Sequence, residues 1–147
     1  MVFNPPVLNF PRVKPRVRQS ERGIEIWDSL RGKWLMYTPE EWVRRHVIGY
    51  LSSYCNLPEQ RIVQEYPVPL NGQPQRADIV AVDDNGAPLL LVECKAPDIE
   101  IDQSVLDQAV RYNSVLQARW IILTNGKRHY CYHHEDNRYT PCGFPTF

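Results

Sequence analysis

The 147-residue sequence predicts an α/β domain with a mixed central sheet flanked by helices. Three observations carry this expectation. Thr38-Pro39-Glu40-Glu41 is a helix start, followed by an apolar stripe at helical spacing. Leu89–Val92 and Trp120–Leu123 are continuous apolar runs, the pattern of strands buried on both faces. Between those runs, Ser104–Gln117 places Val105, Ala109, Tyr112 and Leu116 on one side of a second helix.

Pro5, Pro6, Pro11 and Pro15 make the start an extended arm, since proline removes a backbone donor and fixes φ. The expected organisation is a Pro/Arg-rich arm over residues 1–22 and one domain over 23–147. Ile24–Trp27 and Trp34–Tyr37 alternate or cluster like strands around a turn, which predicts an N-terminal β-hairpin. In the first helix, Thr38 suits the N-cap, Pro39 the first turn, and Glu41 the far side of a capping box. Trp42, Val43, Val47, Tyr50, Leu51 and Tyr54 form its stripe, and Asn56 and Pro58 end it. Arg61–Leu70 carries Pro67 and Pro69 and reads as an edge strand. Turns at Asn71-Gly72 and Asp83–Gly86 bracket a strand over Gln75–Val82. The strand Leu89–Lys95, the second helix (with Asp102 or Ser104 as cap), the strand Trp120–Thr124, the turn Asn125-Gly126 and a last strand Lys127–His133 follow.

Composition excludes several classes. Hydrophobic residues make up 43% and charged residues 23%, so the chain has the material for a packed core. No apolar run approaches the roughly 20 residues of a membrane-spanning helix. Met1–Phe10 lacks the basic start and apolar stretch of a signal peptide, which gives a cytoplasmic expectation. Cys55, Cys94, Cys131 and Cys142 include no CxxC pair, against a disulfide framework. Cys131, His133, His134 and Cys142 fit no regular zinc spacing. The net charge is zero but unevenly spread. Residues 1–22 carry +4, residues 78–107 carry −7 and residues 108–147 carry +3. An acidic middle between basic flanks suits a cation site beside surfaces that attract polyanions; solvated loops are the plainer reading.

The chemistry concentrates in Asp78, Glu93 and Lys95. Alternate strand residues share a face, so Glu93 and Lys95 point the same way, about 6.5–7 Å apart. If the strands Gln75–Val82 and Leu89–Lys95 pair as a hairpin, Asp78 comes beside Glu93. Two carboxylates meeting at the end of an apolar sheet repel each other unless a cation bridges them. Mg²⁺ takes oxygen ligands and keeps waters, so Asp78, Glu93 and the backbone carbonyl of Cys94 suffice. A lysine beside them can orient or deprotonate a water. A structural Glu93–Lys95 pair, with Asp78 capping a turn, is the alternative.

Here the chain resembles the PD-(D/E)XK nucleases, and more closely the N-terminal nuclease domain of type I restriction enzyme R subunits. The stretches that carry the resemblance are Thr38–Arg44, Arg76–Val80, Val92–Pro97, Gln108–Asn113 and Leu123–Gly126. The resemblance implies a restriction-endonuclease-like αβββαβ core that binds Mg²⁺, with Mn²⁺ as an alternative, and hydrolyses DNA phosphodiesters. It implies Asp78 and Glu93 as metal-binding acids, Lys95 as the catalytic lysine and Gln108 with Tyr112 as a QxxxY element. Residues four apart on a helix share a face, so the last two can act together, or simply touch each other. The family's additional acid on the first helix falls on Glu41, with Glu40 as the alternative there; Glu65, an acid of the first strand, is a weaker candidate. Arg44, Arg45 and Arg111 suit phosphates or plain solvation.

The sequence lacks a GxxxxGK[ST] phosphate loop, so ATP-driven translocation is not expected of it. The expected function is a Mg²⁺-dependent DNA endonuclease, free-standing or part of a restriction complex with other subunits. DNA is the expected partner, no membrane is involved, and a homodimer is open. The rival is a nucleic-acid-binding or regulatory module of the same fold. A third reading is a structural subunit that binds proteins through Trp27, Trp34 and the arm.

Overall fold

A computed structural model describes residues 3–147. Strands β1 (Val17–Ser20), β2 (Gly23–Asp28) and β3 (Lys33–Met36) form an antiparallel three-stranded sheet in that order. The expected hairpin is β2–β3, with Trp27 opposite Trp34. Strand β1 is masked in the sequence by the arm's proline density. It falls inside the stretch expected to be extended arm and pairs Val17 with Ile26.

Helix α1 (Pro39–Tyr54) starts as its sequence dictates, with Thr38 Oγ1 accepting the Glu41 N–H at 3.0 Å. The reciprocal half of the capping box is replaced. The Glu41 carboxylate turns to Arg44 (3.2 Å) and Arg45 (3.4 Å). Helix α1 buries Val43, Val47, Ile48 and Leu51, whereas Tyr54 lies outside the core.

After a 3₁₀ turn at Glu59–Arg61, a six-stranded sheet runs β4-β5-β6-β7-β8-β9. Its strands are β4 (Ile62–Leu70), β5 (Gln73–Val82), β6 (Pro88–Cys94), β7 (Trp120–Thr124), β8 (His129–Glu135) and β9 (Arg138–Cys142). Only β6 and β7 pair in parallel, and helix α2 (Gln103–Leu116) makes the crossover that such a pair requires. Strand β9 has no sequence signal, because Pro141 and flanking polar residues mask it; as an edge it tolerates them.

Period-two alternation divides the core. Ile79, Ala81, Leu90, Val92 and Ile122 pack with Val43, Val47 and Leu51 of α1. Val80, Leu91, Ile121 and Leu123 face the other way, onto Val105, Ala109 and Tyr112 of α2. The continuous apolar runs of β6 and β7 thus supply both layers. Asn113 closes α2, its Oδ1 accepting the Ala118 N–H at 2.8 Å, while Gln117 adopts the left-handed conformation.

A buried ion pair ties the two sheets together through α1. Asp28, fully buried on β2, accepts from Arg45 Nη1 at 2.8 Å, from Gln64 Nε2 at 3.1–3.2 Å, and from the N–H groups of Leu30 and Arg31. Burial opposes ionisation of Asp28, but Arg45, Gln64 and the two backbone donors outweigh it and hold the carboxyl below its usual range. Replacing Arg45 with Met should therefore cost about 3–5 kcal/mol, the usual result of leaving a buried charge without its partner. Replacing Arg31, which lies 3.4 Å from the same carboxylate but is partly exposed, should cost about 1 kcal/mol or less. Urea denaturation of the two variants beside the parent separates these outcomes.

Candidate active site

The site forms where β5 and β6 leave their shared ladder. The ladder ends at the pair of Ile79 with Val92, and the next step places Asp78 beside Glu93. On the other flank of β5, the β4 ladder skips one step: Gln64 pairs with Ile79 and Tyr66 with Ala77. The skipped residues are Glu65 and Asp78, and Glu65 has a φ of 52°. A non-glycine residue in the left-handed region inside a strand is unusual, and such irregularities concentrate beside functional sites. The Glu65 carboxylate turns to Arg31 at 3.0 Å.

Asp78 is held by two donors. Its Oδ2 accepts the Cys94 N–H at 2.8 Å, and its Oδ1 accepts from Arg44 Nη2 at 3.3 Å. Glu93 is buried, and its Oε1 has no hydrogen-bond partner. Burial, and then the negative charge of Asp78, push the Glu93 carboxyl up to about 9; Lys95 offsets this only in part. Lys95 follows β6, its N–H donating to the Thr124 carbonyl at 2.9 Å. Thr124 and Asn125 fix that corner. Asn125 Oδ1 accepts the N–H groups of Lys127 and Arg128, and its Nδ2 donates to the Ile99 carbonyl at 2.8 Å. The Leu123–Gly126 stretch is thereby the brace of the loop that begins at Lys95.

The two acids of the first α1 turn differ. Glu41 is committed to Arg44 and Arg45. Glu40 has its carboxyl raised by burial and by Asp78, with Arg44 and Lys95 pulling the other way. It is therefore Glu40 that shares the electrostatic field of Asp78 and Lys95. On α2, Gln108 Nε2 donates to Tyr112 Oη at 3.0 Å, and Tyr112 Oη donates to Gln75 Oε1 at 3.3 Å. These residues and Arg111 line a cavity of about 290 Å³, bounded by Leu70 and Gln73 of the β4–β5 hairpin. The Tyr112 hydroxyl is raised by burial and then by Glu93, which places it within the site's field.

Arg44 is the residue of this cluster that sequence reasoning undervalues. It is buried, at 7% side-chain exposure, and meets Asp78, Glu41 and Glu40 (3.9 Å) together. A signal is present: Arg44 lies four residues after Glu40 and three after Glu41, the spacing of helical ion pairs, and it directly follows core residue Val43.

Two carboxylates and the Cys94 carbonyl form a donor set that suits a hard, oxygen-seeking cation, and the orphaned Glu93 oxygen is the observation that fits such an ion. Among the described residues, no group of three or more His, Cys, Asp or Glu side chains gathers around one point, so further ligands would come from backbone and water. His134 stacks on Tyr139 at 4.5 Å, and His133 packs against Trp120.

Comparison with known proteins bears on the same segment. The family model described as type I restriction enzyme R protein N terminus matches residues 39–142, from the start of α1 to the end of β9. No curated protein matches the sequence.

The raised Glu93 carboxyl has a consequence for stability. Between the usual carboxyl range and about pH 9 the folded state holds a proton that the unfolded chain releases. Stability of the metal-free protein should therefore fall as pH rises through that window. Glu93→Gln should flatten this slope, and added Mg²⁺ should raise stability most at the alkaline end. Thermal unfolding across pH in EDTA, and again in Mg²⁺, measures both.

Proposed function

The chain belongs to the type I restriction enzyme R protein N-terminal family, and from that premise we propose that it is a divalent-cation-dependent DNA endonuclease. The observation that carries the proposal is Asp78 set beside a buried Glu93 whose Oε1 has no hydrogen-bond partner, two residues before Lys95. A metal-free structural pair has no need for an orphaned carboxyl oxygen, because an unpaired buried polar atom costs about 1–3 kcal/mol.

In this reading Asp78, Glu93 and the Cys94 carbonyl hold Mg²⁺, or Mn²⁺ in its place. The ion supplies positive charge where the scissile phosphate gains negative charge. Lys95 orients the attacking water and moves its proton at Nζ. The Gln108 amide and Tyr112 hydroxyl face the phosphate once their mutual hydrogen bond is traded for the substrate. Glu40, not Glu41, is the additional acid of α1, because the Glu41 carboxylate is already neutralised by two arginines. Arg44 holds Asp78 in place and limits its repulsion with Glu93. Other restriction-system subunits are natural partners for a chain of this family.

One observation favours a second reading, a nucleic-acid-binding or regulatory module of the same fold. Arg44 already gives Asp78 a counter-charge at 3.3 Å, which a domain without a metal could use permanently.

A plasmid-nicking assay in Mg²⁺, Mn²⁺ and EDTA separates the two readings. The endonuclease nicks with either metal and is silent in EDTA; a binding module nicks under no condition. Lys95→Ala should lower the cleavage rate by about 10²–10⁴ while retaining metal and DNA binding. Glu93→Ala should lose metal binding as well, as read by calorimetry. Loss of folding in Lys95→Ala with no separate effect on cleavage would make Lys95 a structural ion-pair partner instead.

A further inference from the structure

The arm and the first sheet precede the segment matched by the family model. The arm is packed onto the domain. Leu8 and Phe10 are buried, Trp42 Nε1 donates to the Pro6 carbonyl at 2.9 Å, and the Asn9 N–H donates to the Gly126 carbonyl at 2.7 Å. Gly126 has a φ of +85° and lies so near Leu8 that an added Cβ would come within 2.8 Å of its methyl groups. Val13 approaches Gly49 of α1 equally closely.

From Val13 the chain runs extended into β1, and alternate residues of an extended chain share a side. Val13 and Pro15 are half-buried, whereas Arg12, Lys14, Arg16 and Arg18 are exposed. The result is a row of three cations, Lys14, Arg16 and Arg18, at intervals of about 6.5–7 Å, with Arg12 in the turn that precedes it. Arg18 is paired with Glu25 at 3.0 Å; among the described residues Arg12, Lys14 and Arg16 have no acidic partner within salt-bridge distance. These three line a groove of about 280 Å³ between the arm, Trp27 and α1. The acid on its wall is Glu59, which accepts from Ser29 Oγ.

The arginines are also oriented. Arg16 lies over Trp27 and Trp34 at 5.3 and 5.4 Å, and Arg18 over Trp34 at 4.4 Å. Stacking positions both guanidinium groups; Arg16 keeps its N–H edges for oxyanions, whereas Arg18 gives its Nε–H to Glu25. Stacking also puts a guanidinium where an unpaired base would have to stack, which favours a duplex over a single strand.

We propose that this basic row binds the phosphate backbone of duplex DNA away from the scissile position. The choice of DNA as the polyanion rests on the endonuclease reading. Contacts of this kind position a duplex and carry no base sequence.

The test is fluorescence anisotropy in EDTA with a labelled duplex and the matching single strand, titrated across salt. The parent should prefer the duplex. Arg12→Gln/Lys14→Gln/Arg16→Gln should bind more weakly, with the log affinity–log salt slope shallower by about three, roughly one for each phosphate no longer neutralised. Lys14→Glu alone should reduce the slope in the same sense and guards against misfolding of the triple variant, which thermal unfolding monitors. Unchanged slopes in both variants, tighter binding of the single strand, or no duplex binding by the parent would each overturn the proposal. Nicking by the parent is read separately. A parent that nicks DNA but binds independently of the row refutes this inference and keeps the endonuclease. A parent that binds through the row without nicking does the reverse.

Discussion

Two adjacent arginines on α1 organise the structure. Arg45 neutralises Asp28 of the first sheet, and Arg44 neutralises Asp78 at the end of β5. Glu41 bridges both guanidinium groups. Both arginines are buried, where an uncompensated charge costs several kcal/mol. The geometry is therefore over-determined: moving α1 along the sheet would strip at least one carboxylate of its counter-ion. This constraint fixes the N-terminal sheet, the helix and the acidic end of the central sheet in one arrangement.

The consequence for the site is asymmetry between its two acids. Asp78 accepts from Arg44 and from the Cys94 N–H. Glu93 is buried, and burial together with the charge of Asp78 holds it toward its neutral form. Two carboxylates in one site with environments this different form the pattern expected where an external cation completes the charge balance. The skipped step of the β4–β5 ladder at Glu65 frees the Asp78 edge of the sheet, while Thr124 and Asn125 brace the far edge at Lys95.

Much of this is legible in the sequence. The helix start at Thr38-Pro39 and the apolar runs of β6 and β7 name their elements, because capping and burial act locally. The approach of Asp78 to Glu93 follows from period-two alternation and one hairpin. What stays hidden depends on long-range pairing. The burial of Arg44 and Arg45 depends on Asp78 and Asp28, which lie far off along the chain and carry no local mark. Glu41 matches a capping box that the structure completes only by half, because two arginines outcompete one backbone N–H for its carboxylate. Strands β1 and β9 carry few apolar residues, since each forms an edge with one paired neighbour. The left-handed turn at Glu65 has no glycine or asparagine to announce it.

The proposed chemistry depends above all on Asp78 and Glu93 sharing one cation. Crystals soaked in Mn²⁺ test this directly through anomalous scattering. The account predicts one peak within ordinary metal–oxygen distance, a little over about 2 Å, of Asp78, Glu93 and the Cys94 carbonyl. A peak elsewhere, or none while Glu93 Oε1 stays without a partner and Arg44 stays on Asp78, would contradict it.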